Sequence, residues 1–241
     1  MIPPLSMNYV GDGIYLKTGL EFKNYFLNIG GLKPGERVLD IGSGMGRMAV
    51  PLTGYLSPEG AYWGFDIVEK GIDWCQKNIT PKFKNFHFQH SNVYNKHYNS
   101  AGVIKAREYQ FPFEDKYFDF VFLTSVFTHM LPPDFENYLS EISRVLKNGG
   151  RCMITFFILN QQSEKLVKDG LSTLDFKYTL QPGCKTTTES DPEAAIAYDE
   201  VYVRELFTSH GLGIKNPIHF GSWCNRDEFL SYQDLVLAIK N

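Results

Sequence analysis

The sequence has no long apolar run: none approaches the roughly twenty consecutive residues that a bilayer-spanning helix needs, which excludes a helical membrane protein. Its start, Met1-Ile2-Pro3-Pro4-Leu5, lacks the charged and apolar regions of a signal peptide, so a cytoplasmic location without membrane partners is expected. Cysteine is scarce. Cys75, Cys152, Cys184 and Cys224 lie far apart with no C-x-x-C pair, which argues for buried free thiols and against a disulfide framework or a zinc site. There is no basic run, and the net charge is −3, which speaks against a dedicated nucleic-acid binder. Internal repeats and low-complexity tracts are also missing.

What is present is a chain of 241 residues, 43% hydrophobic, long enough for one α/β domain with a sizeable core. A helical stripe of Leu20, Phe22, Phe26, Leu27 and Ile29 precedes the turn Lys33-Pro34-Gly35. Strands are expected at 37–41, 61–65, 86–89, 118–123 and 151–158. They alternate with helices at 45–55, 69–78 and from Pro132 to Leu146, the last stopped by Asn148-Gly149-Gly150. Such alternation predicts a parallel sheet. Residues 94–110 read as irregular with one helical turn. From about 160 to 198 the chain turns polar and reads as a long loop or lid. A helix at 200–210 and strands at 213–220 and 234–240 finish the chain. The expected organisation is one domain over 1–241, with an N-terminal helical cap (1–32) and a lid insertion (160–198) after the fifth strand.

The strongest local signal is Val38-Leu39-Asp40-Ile41-Gly42-Ser43-Gly44-Met45-Gly46-Arg47, a glycine cluster between a strand and a helix. Glycine there permits a sharp bend and close approach of a ligand, with helix N-terminal N–H groups facing it. A dinucleotide fingerprint needs a small residue where Arg47 stands. Asp40, two residues before the first glycine, suits a cationic amino group better than a pyrophosphate. S-adenosylmethionine (SAM) carries such a group. Asp66, closing the second strand, is placed to accept both ribose hydroxyls, or else to cap the next helix.

In these residues the sequence resembles the class I SAM-dependent methyltransferases, particularly the small-molecule group. The likeness runs from about Lys33 to Phe157. Val38 to Gly46 is similar to the family's first motif, Gly64-Phe65-Asp66-Ile67 to its second and Ser91-Asn92-Val93 to its third. Phe111 to Val121 resembles the approach to the fourth strand, and Arg144 to Arg151 the turn before the fifth. The resemblance implies a Rossmann-like seven-stranded sheet with an antiparallel last strand, filled here by 213–220 and 234–240. It implies SAM as cofactor, with Asp40, Gly42, Ser43 and Gly44 around its methionine part and Asp66 at its ribose. Asn92 and Val93 would meet the adenine edge. Family members commonly carry Asp where Asn92 stands, but an Asn oxygen still accepts from the adenine amino group. Ile67 packs on adenine or belongs to the core.

The segment Thr124 to Met130 follows the fourth strand and should rim the reactive end of the cofactor, with Thr124 at the cofactor and His129 the best candidate general base. His129 alternatively packs beneath Pro132-Pro133. Arg47 suits the SAM carboxylate or an anionic substrate, or else faces solvent. No Asp or Glu lies from Leu123 to Leu131, so a metal site is not expected, and the Asn/Asp-Pro-Pro-aromatic signature of nucleic-acid amino-methyltransferases is missing there. Tyr9, Tyr15 and Phe22 are candidates to close over the site or to join the core. Tyr198, Asp199 and Glu200 bind a polar substrate or start a helix. The expected partner is a small polar acceptor methylated on oxygen or nitrogen. A non-catalytic SAM-fold module, a protein methyltransferase and an NAD(P)-dependent oxidoreductase are the competing readings.

Overall fold

A computed structural model describes residues 1–4 and 14–241. In chain order the elements are α1 (Tyr15–Asn28), β1 (Arg37–Ile41), α2 (Ala49–Leu52), β2 (Ala61–Asp66), α3 (Glu69–Asn78) and β3 (Phe86–His90). Then come β4 (Phe118–Leu123), α4 (Pro132–Val145), β5 (Leu146–Phe156), β6 (Ile158–Leu159), α5 (Gln161–Lys168), β7 (Tyr178–Gln181) and β8 (Cys184–Thr186). The chain ends with β9 (Ile196–Asp199), α6 (Glu200–Ser209), β10 (Leu212–Ile214) and β11 (Asp234–Lys240).

Seven strands form one sheet in the order β10-β11-β5-β4-β1-β2-β3. β1 to β5 are mutually parallel, and β11 runs antiparallel to both β5 and β10. The strand order reverses at β1/β4, the position at which open α/β sheets bind ligands beyond their carboxyl ends. β1 and β4 are buried along nearly their whole length because both faces of a parallel sheet are covered. Alternation divides them between two cores. Leu39, Ile41, Val121 and Leu123 face α4 and α6, while Val38, Phe120 and Phe122 face α1 and α3. Phe22, a candidate site residue in the sequence, belongs to this second core, with Phe26 stacked on Phe122.

Three expectations need correcting. The helix after the glycine turn is short: residues 44–48 form turns and α2 has four residues. The Asn148-Gly149-Gly150 run lies inside β5, where the β4–β5 register shifts and Gly149 takes φ 74°. The strand expected at 213–220 ends at Ile214; a cis Asn216–Pro217 bond follows, and a single bridge pairs His219 with Leu235.

The polar segment 160–198 is not irregular. It holds α5 and, with β6, a second sheet in the order β6-β9-β8-β7. Phe157, Leu159, Phe176, Ala195, Ala197, Trp223 and Cys224 form its own small core. Its strands are short and half exposed, so their few buried positions are hidden among polar residues. Asn160 opens α5 through a reciprocal capping box with Ser163. No helix among the described residues is long and apolar enough to cross a membrane.

Candidate functional site

The carboxyl ends of β1, β2 and β4 converge on the glycine turn. Gly42, Gly44 and Gly46 have φ of 79°, 54° and 72°, the left-handed region that only glycine enters freely. The Gly42 and Ser43 N–H groups donate to the Phe65 carbonyl at 2.9 and 3.0 Å, which folds the turn over the end of β2. Gly44 N–H donates to Asp66 Oδ2 at 2.7 Å and Val68 N–H to Asp66 Oδ1 at 2.8 Å. The turn N–H groups are thus held by β2, and α2 starts too late for a helix N-terminus to face the turn, which corrects that expectation.

Asp40 is fully buried on the α1/α3 face of β1. Tyr62, on the neighbouring strand and the same face, donates its hydroxyl to Asp40 Oδ2. Asp40 Oδ1 has no partner, and neither has the buried hydroxyl of Ser43. Burial pushes the Asp40 carboxyl up to about 8; the Tyr62 bond opposes this and the Asp66 charge adds to it. Gly64, opposite Asp40 in register, leaves room for Ser43, whose Cβ would lie 2.8 Å from any Cβ at that position.

Asp66 is buried and its pKa is raised by burial, against hydrogen bonds from Val68, Gly44 and Ile67. Its two oxygens each accept one backbone N–H, and a carboxylate has room for further donors. Through Val68, the N-cap of α3, Asp66 also anchors the start of that helix.

Tyr15 opens α1 and donates to the Met45 carbonyl at 2.7 Å, so it covers the turn. Burial raises its pKa, with Cys75, Arg47 and Asp40 among its electrostatic neighbours. Arg47 is half-buried beside Tyr15, and burial lowers its pKa. From the β4 side Val126 approaches the turn: a Cβ on Gly42 would lie 2.5 Å from Val126 Cγ2. Tyr9 lies outside the described residues.

The other expected contacts are more dispersed. Ile67 is half-buried against the α4-side core, and its carbonyl meets His90 Nε2 at 3.2 Å. The Asn92 side chain is exposed, while its carbonyl accepts from Val103 and Ile104. The Val93 side chain is in the core and its N–H donates to Ser91. Thr124 is half-buried at the end of β4, followed by Ser125 at φ 61°.

His129 lies in a short 3-10 turn (Phe127–His129). Its Nδ1 is 2.9 Å from the Glu193 carbonyl. A carbonyl only accepts, so Nδ1 carries the proton and Nε2 is left as the basic nitrogen of the neutral ring. Burial lowers the His129 pKa, opposed by the backbone bonds to Glu193 and Ala194. His129 thus sits against the 192–194 turn between β8 and β9. Tyr198 is buried and donates to the Met130 carbonyl at 2.5 Å, Glu200 pairs with Arg204, and Asp199 precedes α6 without capping it through its side chain.

Tyr62 and Glu193 were missed from the sequence. Tyr62 reads as core, and only its alternation with Val38 and Asp40 across the β1–β2 register places its hydroxyl at the carboxylate. Glu193 acts through its backbone, for which no residue type is a signal. Among the described residues no group of three or more His, Cys, Asp or Glu side chains is arranged to hold a metal ion.

The geometry suits SAM. A buried carboxylate oxygen near the end of β1 and a buried hydroxyl in the turn that follows, both without partners, complement the ammonium and carboxylate of an amino acid. Asp66 beside them offers acceptors for vicinal hydroxyls.

Comparison with known proteins agrees. Residues 39–154 match a family described as a methyltransferase domain. Phosphoethanolamine N-methyltransferase 2 of Caenorhabditis elegans is 28% identical over 151 residues, 63% of this chain and 30% of that protein. A fatty-acid O-methyltransferase of Mycolicibacterium smegmatis is 31% identical over 123 residues, 50% of this chain and 37% of that protein. The ubiquinone/menaquinone C-methyltransferase UbiE of Vibrio campbellii is 26% identical over 136 residues, covering 56% and 47%. The chain thus spans about a third to a half of the length of these relatives. The crystal structure of magnesium protoporphyrin IX methyltransferase from Synechocystis with bound S-adenosylhomocysteine (SAH) has the same fold. Its TM-score is 0.58 at 18% identity, with coverage of 96% of this chain and 90% of that one.

Proposed function

We propose that this chain is a class I SAM-dependent methyltransferase and that it methylates oxygen or nitrogen of a small polar or sugar-like acceptor. The observation that carries the cofactor assignment is the unpartnered Oδ1 of the fully buried Asp40 carboxyl beside the glycine turn. Bound SAM supplies an electrophilic methyl group on a sulfonium. Asp40 pairs with the ammonium of its methionine part, and the Ser43 hydroxyl donates to the adjoining carboxylate. Asp66 accepts from the ribose hydroxyls while its backbone bonds to Gly44 and Val68 fix its orientation. Asn92 serves the adenine edge through its exposed amide, with Ile67 against the ring.

The same arrangement limits what the chain must do chemically. Holding the acceptor in line and excluding water supplies much of the rate, and Tyr15 and Val126 cover the turn for that purpose. Where the acceptor must lose a proton, the Nε2 of neutral His129 takes it. The preference for oxygen or nitrogen draws on the first two relatives above and on this histidine. A carbon acceptor, as in the third relative, is the competing chemistry.

Incubating the protein with methyl-tritiated SAM and a panel of hydroxylated, amino and sugar metabolites tests the proposal. Label transfer to one acceptor class is expected. SAM binding without transfer to any acceptor, peptides included, would favour a non-catalytic module.

A further inference from the structure

The loop between β10 and β11 holds an arginine that the chemistry above leaves unused. Arg226 is 5% exposed, the one buried cationic side chain among the described residues. Its guanidinium donates through Nη1 to Gln162 Oε1 and through Nη2 to Asn160 Oδ1 at 3.1 Å. It stacks on Phe220 with Cζ 4.6 Å from the ring centroid. Both hydrogen-bond acceptors are neutral amides. Nε is buried and has no partner. The Cys224 thiol also lies against the guanidinium.

Asp234 is the nearby buried carboxylate, but it is committed elsewhere. Its Oδ1 accepts from Gly221 N–H at 2.7 Å, and its Oδ2 accepts from Ile158 N–H at 2.6 Å and the Trp223 indole at 2.7 Å. It senses Arg226 only through space. A buried guanidinium bonded only to neutral groups, with one donor unmet, is expensive unless an anion completes it.

The surroundings are built for a small ligand. Arg226 lines a cleft of about 340 Å³ with Gln162, Phe220, Asp227 and Glu228. The loop enters β11 at the carboxyl ends of the parallel strands, the end of the sheet that carries the glycine turn. Asp234 pairs with Phe156 at the end of β5, and Gln233 Nε2 donates to Ser125 Oγ beyond the end of β4 at 2.9 Å.

We propose that this cleft binds an anionic group of the acceptor, a carboxylate or phosphate, with Arg226 as its ion-pairing residue. That the anion belongs to an acceptor rests on the methyltransferase reading; the anion site itself does not. A planar guanidinium whose Nε–H lacks a partner suits two-oxygen recognition, which lysine cannot reproduce. Asp227 and Glu228 are exposed, so solvent screens them, whereas Arg226 acts from a buried position. Their charge at the cleft disfavours polyanions and selects an acceptor whose remainder is neutral or cationic.

The test titrates the full chain with inorganic phosphate, followed by melting temperature and by the ¹⁵N-arginine Nε–H resonances. SAM affinity is measured in parallel by calorimetry. Saturable stabilisation is expected, with a shift of the one Nε–H resonance that vanishes in Arg226→Lys. Arg226→Met should lose the phosphate response and keep SAM affinity within about twofold, and Arg226→Lys should weaken phosphate about tenfold or more. An unmoved Arg226 resonance, or full phosphate stabilisation of Arg226→Met, overturns the proposal. If Arg226→Met does not fold, the wild-type resonance decides. Failure of SAM to bind would sink the methyltransferase reading and leave the phosphate result standing, so the two fail separately.

Discussion

Replacing Asp40 by Asn separates the cofactor role of this residue from its cost to the fold. In the ligand-free protein burial holds the carboxyl up to about 8, against an ordinary value of 3.8. A folded-state pKa above the unfolded one favours the protonated form. The stability this group contributes is therefore fully present below about pH 4 and is lost as pH rises through about 8. A tenfold difference in proton affinity between the folded and unfolded chain is worth about 1.4 kcal/mol, so the loss across that window is of the order of 6 kcal/mol. Asn retains an acceptor for Tyr62 and cannot ionise. It leaves an amide N–H unpaired, at about 1–3 kcal/mol. Asp40→Asn should therefore match or trail wild type in chemical denaturation at pH 5 and exceed it at pH 9. SAM should respond oppositely. Removing one partner of a buried charge pair costs about 3–5 kcal/mol, or roughly two to three and a half orders of magnitude in affinity. Wild type should also release close to one proton per SAM bound at pH 7, since the free carboxyl is then about nine-tenths protonated. Calorimetry in buffers of different ionisation enthalpy reads that proton, and Asp40→Asn should release none. Unchanged SAM affinity in the variant, or no proton release by wild type, would refute the reasoning.

Other outcomes follow from the same geometry. Asp66→Ala should weaken SAM binding at least about tenfold, because it removes charge-assisted hydrogen bonds worth about 1.5–3 kcal/mol each; a titration giving the wild-type constant would exclude the ribose role. His129→Ala should lower turnover about 10²- to 10⁴-fold with little change in SAM affinity. Because burial lowers its pKa below 6.5, the wild-type rate should stay flat at neutral pH and fall only on the acid side of that value. Gly42→Ala should destabilise by about 1–3 kcal/mol through its positive φ and the contact with Val126, read from a denaturant midpoint. Tyr15→Phe removes the bond to the Met45 carbonyl and should speed SAM dissociation, measurable by stopped flow.

Much of the fold was legible because its parallel strands are short, mostly apolar segments bounded by glycine, proline and polar turns. α3, α4, α6 and β11 fall within a residue or two of their expected bounds. The failures have local causes. The helix expected at 45–55 is shortened by positive-φ glycines at 44 and 46, and the strand at 213–220 is cut short near Pro217, which has no N–H to give a ladder. The 160–198 segment looked irregular because its small sheet shares its core with Phe157, Trp223 and Cys224, which lie outside it in sequence. At the site, Asp40 and the glycines were readable from spacing. The Tyr62 partnership, the Glu193 carbonyl behind His129 and the buried setting of Arg226 depend on contacts 22 to 66 residues apart, which no local pattern encodes.

The most direct test of the central claim is calorimetric titration of the purified protein with SAM and with SAH. One site per chain and micromolar binding of both are expected. Binding of neither, or binding of NADH in their place, would contradict it.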